Sequence, residues 1–165
     1  MMRVIKRKKS EFQEKVLEIR RVTRVVAGGK RFSFRATVVV GDMKGRVGIG
    51  TAKGLDVATA IQKAKHQAEK EVVTVTLKDH RTVHHDVEEK YGAARVRLKP
   101  ARQGNGLIEG GSSRVVLELA GVKDISAKIL GRTTNKIANA QATLKALQSI
   151  YLRKPKPVSA IEEKE

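Results

Sequence analysis

Arg20-Arg21-Val22-Thr23-Arg24-Val25-Val26, then Ala27-Gly28-Gly29-Lys30-Arg31, then Phe32-Ser33-Phe34-Arg35-Ala36-Thr37-Val38-Val39-Val40 follow one another without a break. A second turn, Gly41-Asp42-Met43-Lys44-Gly45, leads into Arg46-Val47-Gly48-Ile49-Gly50. Two β-rich runs joined by Gly-Gly spell a hairpin, because glycine accepts the positive φ of a tight turn. Gly28 is expected to hold that φ, so a β-branched replacement there should distort the tip. The spacing predicts strands over residues 15–26, 32–40 and 46–52, then a helix over 56–72 opened by Asp56. On that helix Ala58, Ile61, Ala64, Ala68 and Val72 share an apolar face that should cover the sheet. Thr59, Lys63, His66 and Lys70 form a separate, cationic stripe left in solvent. Three strands and a helix in this order fit a double-stranded-RNA-binding type of fold, which reads shape and phosphate.

Charge points the same way. The chain has 165 residues, with 35 Lys+Arg against 17 Asp+Glu, a formal net charge of +18. Such a field attracts polyanions, nucleic acid first and an acidic membrane second. Residues 1–35 hold 12 basic and 3 acidic side chains, a surplus of nine and half of the net charge. The cationic tip from Arg24 to Arg35 suits RNA phosphates, which Lys and Arg neutralise with release of counterions. The bland alternative is a solvated hairpin in a basic protein; the same sign recurring on the arm and the helix stripe favours RNA. The chain has no cysteine, hence neither a disulfide framework nor a Cys-ligated zinc site. The basic start lacks the apolar run of a signal peptide, and no stretch has membrane-spanning length. A soluble, intracellular protein is expected.

A second unit is expected from residue 73. Strands are predicted over 73–77, 80–87 and 94–99, the last two paired around 88–92. The glycine-rich loop at 104–111 leads to a helix over 114–120, capped by Ser112 or Ser113 and stopped by Gly121. A strand over 124–130 precedes a last helix, capped by Thr133 or Thr134, on which Ile137, Ala140, Leu144, Leu147 and Tyr151 recur at spacings of three and four. The domain plan is a basic arm at 1–13, a first unit at 14–72, a second at 73–151 and a tail at 152–165.

Other features read weakly as chemistry. Phe32 and Phe34 share a strand face and could stack bases, but only five aromatic residues exist in the chain, and core packing of at least one ring is the better reading. Gly48, Gly50 and Gly54 join a strand to a helix, yet lack the lysine-hydroxyl pair of a nucleotide loop, so close packing is favoured. His80, His84, His85 and Asp86 make a poor metal set without cysteine. No carboxylate pair or nucleophile-base set stands out. The 104–111 loop could cradle a phosphate or present Ile108 and Arg114 to a neighbouring protein.

Residues 22–34, 39–50 and 60–64 closely resemble the bacterial-type small-subunit ribosomal protein five family. So do Pro100-Ala101, Gly104-Asn105-Gly106, Gly110-Gly111, Arg114-Val115-Val116-Leu117-Glu118, Ala120-Gly121-Val122 and Gly131 before Asn135. The resemblance covers about residues 12–150. It implies an α+β fold: an N-terminal double-stranded-RNA-binding-like domain, then a C-terminal α/β sandwich with a four-stranded sheet and two helices. It implies a non-catalytic, cytoplasmic constituent of the small ribosomal subunit that binds ribosomal RNA and supports translational accuracy. Implied partners are small-subunit ribosomal RNA and small-subunit proteins four and eight, with no cofactor, metal, membrane or small-molecule substrate. The first hairpin loop would lie beside the spectinomycin site. On this reading Arg20, Arg21, Arg24, Gly28, Gly29, Lys30, Arg31, Arg35, Arg46, Lys53, Lys63, Arg132 and Asn135 meet RNA, while Gly104, Gly106, Ile108 and Arg114 meet a protein. The chain departs from the family's pattern at Lys136, where proline is usual after Asn135, and at Ala138 and Gln141. A free-standing double-stranded-RNA regulator is the competing reading, and an enzyme ranks last because fold alone carries no function.

Overall fold

Ala36-Thr37-Val38-Val39-Val40 is nearly continuous apolar sequence, the mark of a strand covered on both faces. In the computed structural model, which describes residues 11–152 (backbone only at 151 and 152), all five are at most 1% exposed. They lie in the second strand of a sheet made by β1 (Gln13–Val26), β2 (Gly29–Gly41), β3 (Arg46–Gly54) and the short β4 (Val73–Thr74), in that order and antiparallel throughout. Helix α1 (Val57–Lys70) crosses back between β3 and β4. The second sheet contains β5 (Val87–Tyr91), β6 (Ala94–Pro100), β7 (Leu107–Ile108) and β8 (Ile125–Ile129) in the order β5-β6-β8-β7, with β7 parallel to β8. Helix α2 (Gly111–Ala120) links β7 to β8, and α3 (Lys136–Leu152) closes the chain. Two α+β units thus follow the expected plan.

Residue parity on β2 divides the core. Ala36, Val38 and Val40 point to α1, where they meet Ala60, Ala64 and Ala68, with Phe34, Ile61 and Val72 at the margin. Val39, Val47 and Ile49 point the other way, into a larger core shared with Val96, Leu98, Leu117, Leu119, Ile125 and Leu147. The first sheet is therefore a middle layer. The α1 side is unusually close: a Cβ on Gly48 would run into the Ala68 carbonyl, and one on Gly50 into that of Ala64. Glycines two apart on the strand match alanines four apart on the helix, about 6.6 Å against 6 Å.

Backbone bonds join the two units. The amides of Met43 and Gly45 donate to Leu119 O and Ala120 O at 3.0 and 2.9 Å. These carbonyls end α2 and have no partner within the helix. Gly121, at φ 86°, reverses the chain there. Lys15 Nζ meets Glu118 at 2.7 Å across the same junction.

Several details differ from the sequence reading. Gly28 has no positive φ; Ala27 and Gly28 form the two-residue turn and Gly29 takes the left-handed conformation at φ 127°. Ala58 is exposed and Ala60 is the buried residue, because the sheet-facing row is set by the glycines of β3. The strand expected over 73–77 is two residues long and completes the first sheet. Residues 80–86 form a loop, and the hairpin partner of β6 is Val87–Tyr91, which turns at Gly92 with φ 57°. Ser112 and Ser113 lie buried inside the first turn of α2, whose N-cap is Gly110. Asn135, not a threonine, caps α3: its Oδ1 accepts from the Ile137 and Ala138 amides at 3.1 and 3.4 Å. The short strand β7 falls within the expected loop. Most of the arm and tail lies outside the described residues, as does the Tyr151 side chain.

Candidate nucleic-acid interface

Beyond the part of the sheet covered by α1, the β1–β2 hairpin continues with both faces open. Its register sorts the cations. Arg20 lies directly opposite Arg35, and Arg35 opposite Lys53, a row of three across β1, β2 and β3. Arg24 lies opposite Arg31 and forms a second row nearer the tip. All five point away from α1. Like charges facing each other on a sheet cost stability, and among the described residues the one acid bound within these rows is Glu18, which meets Arg20 at 2.8 Å. The arrangement suits a polyanion laid across the strands.

The opposite hairpin face carries Arg21 and Lys30 beside the two phenylalanines. Phe34 packs at the margin of the α1 core, as one ring was expected to. Phe32 stays 48% exposed, with the Arg21 guanidinium 4.6 Å from its centroid. This pairing leaves a cation and a ring edge on the surface. Lys63 is exposed on α1, in one stripe with Thr59, His66 and Lys70.

Other predicted residues lie apart from these rows. Arg46 sits at the far end of the sheet, held by Asp42 at 2.6 Å and Glu11 at 3.7 Å and stacked 5.1 Å from the Phe12 centroid. Burial would raise the Asp42 carboxyl, but the Arg46 side chain and the Lys44 and Arg46 amides outweigh it and hold it below its ordinary value. Arg132 is exposed in the second unit, where Asn135 spends its side-chain oxygen on the α3 cap.

The glycine loop has an organiser that no motif announced. Asp124, 3% exposed, accepts from the Gly104 and Gly106 amides at 3.0 and 3.1 Å and from Arg81 Nε at 2.9 Å. The Arg81 bond, then the Gly106 amide, keeps its carboxyl below the ordinary range. Gly104 and Gly106 have φ of 93° and 71° and open space around them. Ile108 is 55% exposed beyond the loop, and Arg114 is exposed on α2. Glu109, between them, has a buried, unpartnered Oε2, and desolvation pushes its pKa up to about 7. Arg81 also borders an open cleft of about 520 Å³ with Lys78, His84 and Arg102. The cleft's rim includes Asp79, which with His80 takes left-handed φ values of 54° and 51°. Among the described residues, no three His, Cys, Asp or Glu side chains converge as a metal set.

Two α+β units, a shared core and a cationic hairpin define a basic two-sheet protein, and known sequences say which. Residues 12–76 match the model of the ribosomal protein S5 N-terminal domain, and residues 89–160 that of the C-terminal domain. A small ribosomal subunit protein uS5 of Campylobacter jejuni (strain RM1221) is 51% identical over 140 residues, 84% of this chain and 93% of that one. The uS5 of Paramagnetospirillum magneticum is 47% identical over 154 residues, 93% of this chain and 72% of its own. The uS5c protein of Spinacia oleracea is 49% identical over 139 residues, and the match spans 84% of this chain and 45% of that longer protein. The chain belongs to the ribosomal protein S5 family, a family of structural, non-enzymatic proteins.

Proposed function

We propose that this chain is a structural constituent of the small ribosomal subunit that clamps ribosomal RNA with its first unit and, with its second, docks neighbouring proteins and meets RNA at Arg132 and Asn135. In a bacterium that places it in the cytoplasm. The observation that carries the RNA half is the pair of opposed cation rows, Arg20–Arg35–Lys53 and Arg24–Arg31, on the open face of the hairpin. Lys30 and Arg21 work from the other face, so the hairpin presents charge on both sides of one thin ribbon. Gly28 and Gly29 keep its tip narrow. The docking half rests on the loop that Asp124 holds open at Gly104 and Gly106, with Ile108 and Arg114 exposed next to it. Small-subunit proteins four and eight are the proposed neighbours, and a change in this contact is the proposed route to altered decoding accuracy. The division into residues 14–72 and 73–151, flanked by a basic arm and a tail, belongs to the same reading, with the strand at Val73–Thr74 reaching back to pair with the first sheet.

A tagged full chain, sedimented from lysate and washed with salt, tests this. Co-migration with the small subunit that resists moderate salt supports the reading; a free pool bound equally well by generic duplex RNA favours a regulator. With about six phosphate contacts, log affinity for ribosomal RNA should fall against log salt with a slope of about −5. Lys30→Glu with Arg31→Glu should weaken binding far more than Lys154→Glu with Lys156→Glu. Equal losses would show that bulk charge, not the hairpin, decides.

A further inference from the structure

The chain has three asparagines, and one of them, Asn105, is followed by glycine. That pair lies in the loop leading to β7. Asn105 is exposed, and its backbone amide donates to Arg102 O at 3.2 Å. Gly106 takes φ 71°, and a Cβ there would meet open space. The side-chain carbonyl carbon of an asparagine is an electrophile that the next residue's amide nitrogen reaches by closing a five-membered ring. A side chain on that next residue hinders the approach, so glycine, with no Cβ and the widest backbone freedom, allows it best. The other two asparagines are poorly placed. Asn135 precedes Lys136 and spends its Oδ1 on the Ile137 and Ala138 amides. Asn139 is buried within α3 and precedes Ala140. At Gly106 the attacking nitrogen is restrained. Its N–H donates to Asp124 Oδ1 at 3.1 Å, beside the Gly104 N–H at 3.0 Å. To attack, that nitrogen must shed its proton, and a carboxylate facing it opposes the negative charge that would develop there. Arg81, bonded to Asp124 at 2.9 Å, keeps the carboxylate ionised and therefore a weak base.

We infer that Asn105–Gly106 is a site of spontaneous deamidation and that Asp124 is the latch that restrains it. When the latch opens, the Gly106 nitrogen gives its proton to solvent and attacks Cγ of Asn105. A new C–N bond forms, the bond from Cγ to Nδ2 breaks, and Nδ2 takes up a proton and leaves as ammonia. The product is a succinimide ring. Water then adds to one of the two ring carbonyls and breaks its bond to the Gly106 nitrogen, which regains its proton. Opening at Cγ leaves aspartate at 105. Opening at the backbone carbonyl leaves isoaspartate, whose main chain is longer by a methylene. Overall, one water is consumed and one ammonia released, with no change of oxidation state. Either product sets a new carboxylate in the loop that Asp124 holds, where like charges repel. The longer isoaspartate backbone also moves the Gly106 amide away from its place beside that of Gly104. The modified loop then no longer closes on Asp124, and a chain altered in this way docks its neighbour less well. That consequence rests on the docking reading above, whereas the chemistry does not.

The test incubates the free full chain in mildly alkaline buffer and follows Asn105 by peptide mass spectrometry, with Asn135 and Asn139 read in the same digest. In strong urea, acid should collect at 105 well ahead of 135 and 139. In buffer alone, conversion at 105 should be slower by about tenfold or more, the factor set by a charge-assisted hydrogen bond that has to open first. Asp124→Asn keeps an acceptor for the glycine amides and removes the charge. It should bring the folded rate most of the way to the unfolded one, with faster hydrogen exchange at the Gly106 amide. A second measurement needs no variant: in sub-denaturing urea, conversion in the unaltered chain should rise in step with Gly106 exchange. No lead of 105 over the other asparagines in strong urea overturns the site. Equal folded and unfolded rates, or conversion that stays flat while Gly106 exchange rises, overturn the latch. Neither reading involves a ribosomal partner, so both stand or fall apart from docking. Entry of an Asn105→Asp chain into the small subunit as readily as the unaltered one would overturn the effect on docking.

Discussion

Single residues decide the conformations that the rest of the chain has to accept. At the hairpin tip the left-handed residue is Gly29 and not Gly28. Gly28→Ala should therefore be nearly silent, within about 0.5 kcal/mol, whereas Gly29→Ala should cost about 1 kcal/mol and loosen the tip. Urea unfolding of the two variants side by side checks this, and equal losses would mean the turn is misplaced. Asp79 and His80 present the reverse case, two residues with side chains in a conformation that favours glycine. His80→Gly should raise stability by about 0.5–1 kcal/mol, the relief of left-handed strain less the entropy glycine loses on folding. A drop in the melting midpoint would count against strain at that turn. Asp124 shows how little of such a role is written locally. Its three partners come from residues 81, 104 and 106, and nothing in its immediate sequence distinguishes it from a surface acid.

Between elements, the closest packing is that of α1 on β3. Gly50→Ala would force a methyl into the Ala64 carbonyl and the Ala68 backbone. Helix and sheet must separate, at a cost of about 2–3 kcal/mol, as in other overpacked cores. Denaturant midpoints should show that loss. A cost below about 0.5 kcal/mol would mean the helix shifts freely. The α1 stripe was legible in outline, since a run of alanines at helical spacing has few other uses. Its exact phase was not, because Ala58 and Ala60 are alike as residues and only the glycine row on β3 selects between them. The expected strand over 80–87 failed for a related reason. The β-branched Thr82, Val83 and Val87 suit a strand, but the turn that sets the register is at Gly92, which pairs Val87 with Leu98.

At the scale of the molecule, carboxyl groups set opposing pH dependences. Asp124 and Asp42 have lowered pKa values. When folded they resist protonation better than the unfolded chain, so their stabilisation is complete above about pH 4 and is lost as pH falls below that. Glu109 runs the other way: its ordinary value of 4.5 is pushed up to about 7. The folded protein favours its neutral form, so stability is greatest below pH 4.5 and is lost as pH rises toward 7. Glu109→Gln should abolish that loss and stabilise the chain at pH 8 by about 1 kcal/mol, after discounting for partial exposure. Melting midpoints from pH 4 to 8 check it; a parallel pH dependence in the variant would assign the slope to another group.

Local sequence was enough to determine the first unit's strands, the cationic hairpin, the basic balance and the helix stripe in solvent. Each depends on period, turn chemistry and charge within a span of a few residues. The tertiary structure decided which cations face one another. Arg20, Arg35 and Lys53 are remote in sequence and become a row only through strand register, while Arg46, equally basic, is drawn away by Asp42 and Glu11. It also decided that the two units share one core, because Val39 and Val40 are identical side chains whose opposite destinations follow from the pleat and from which helix lies on each side.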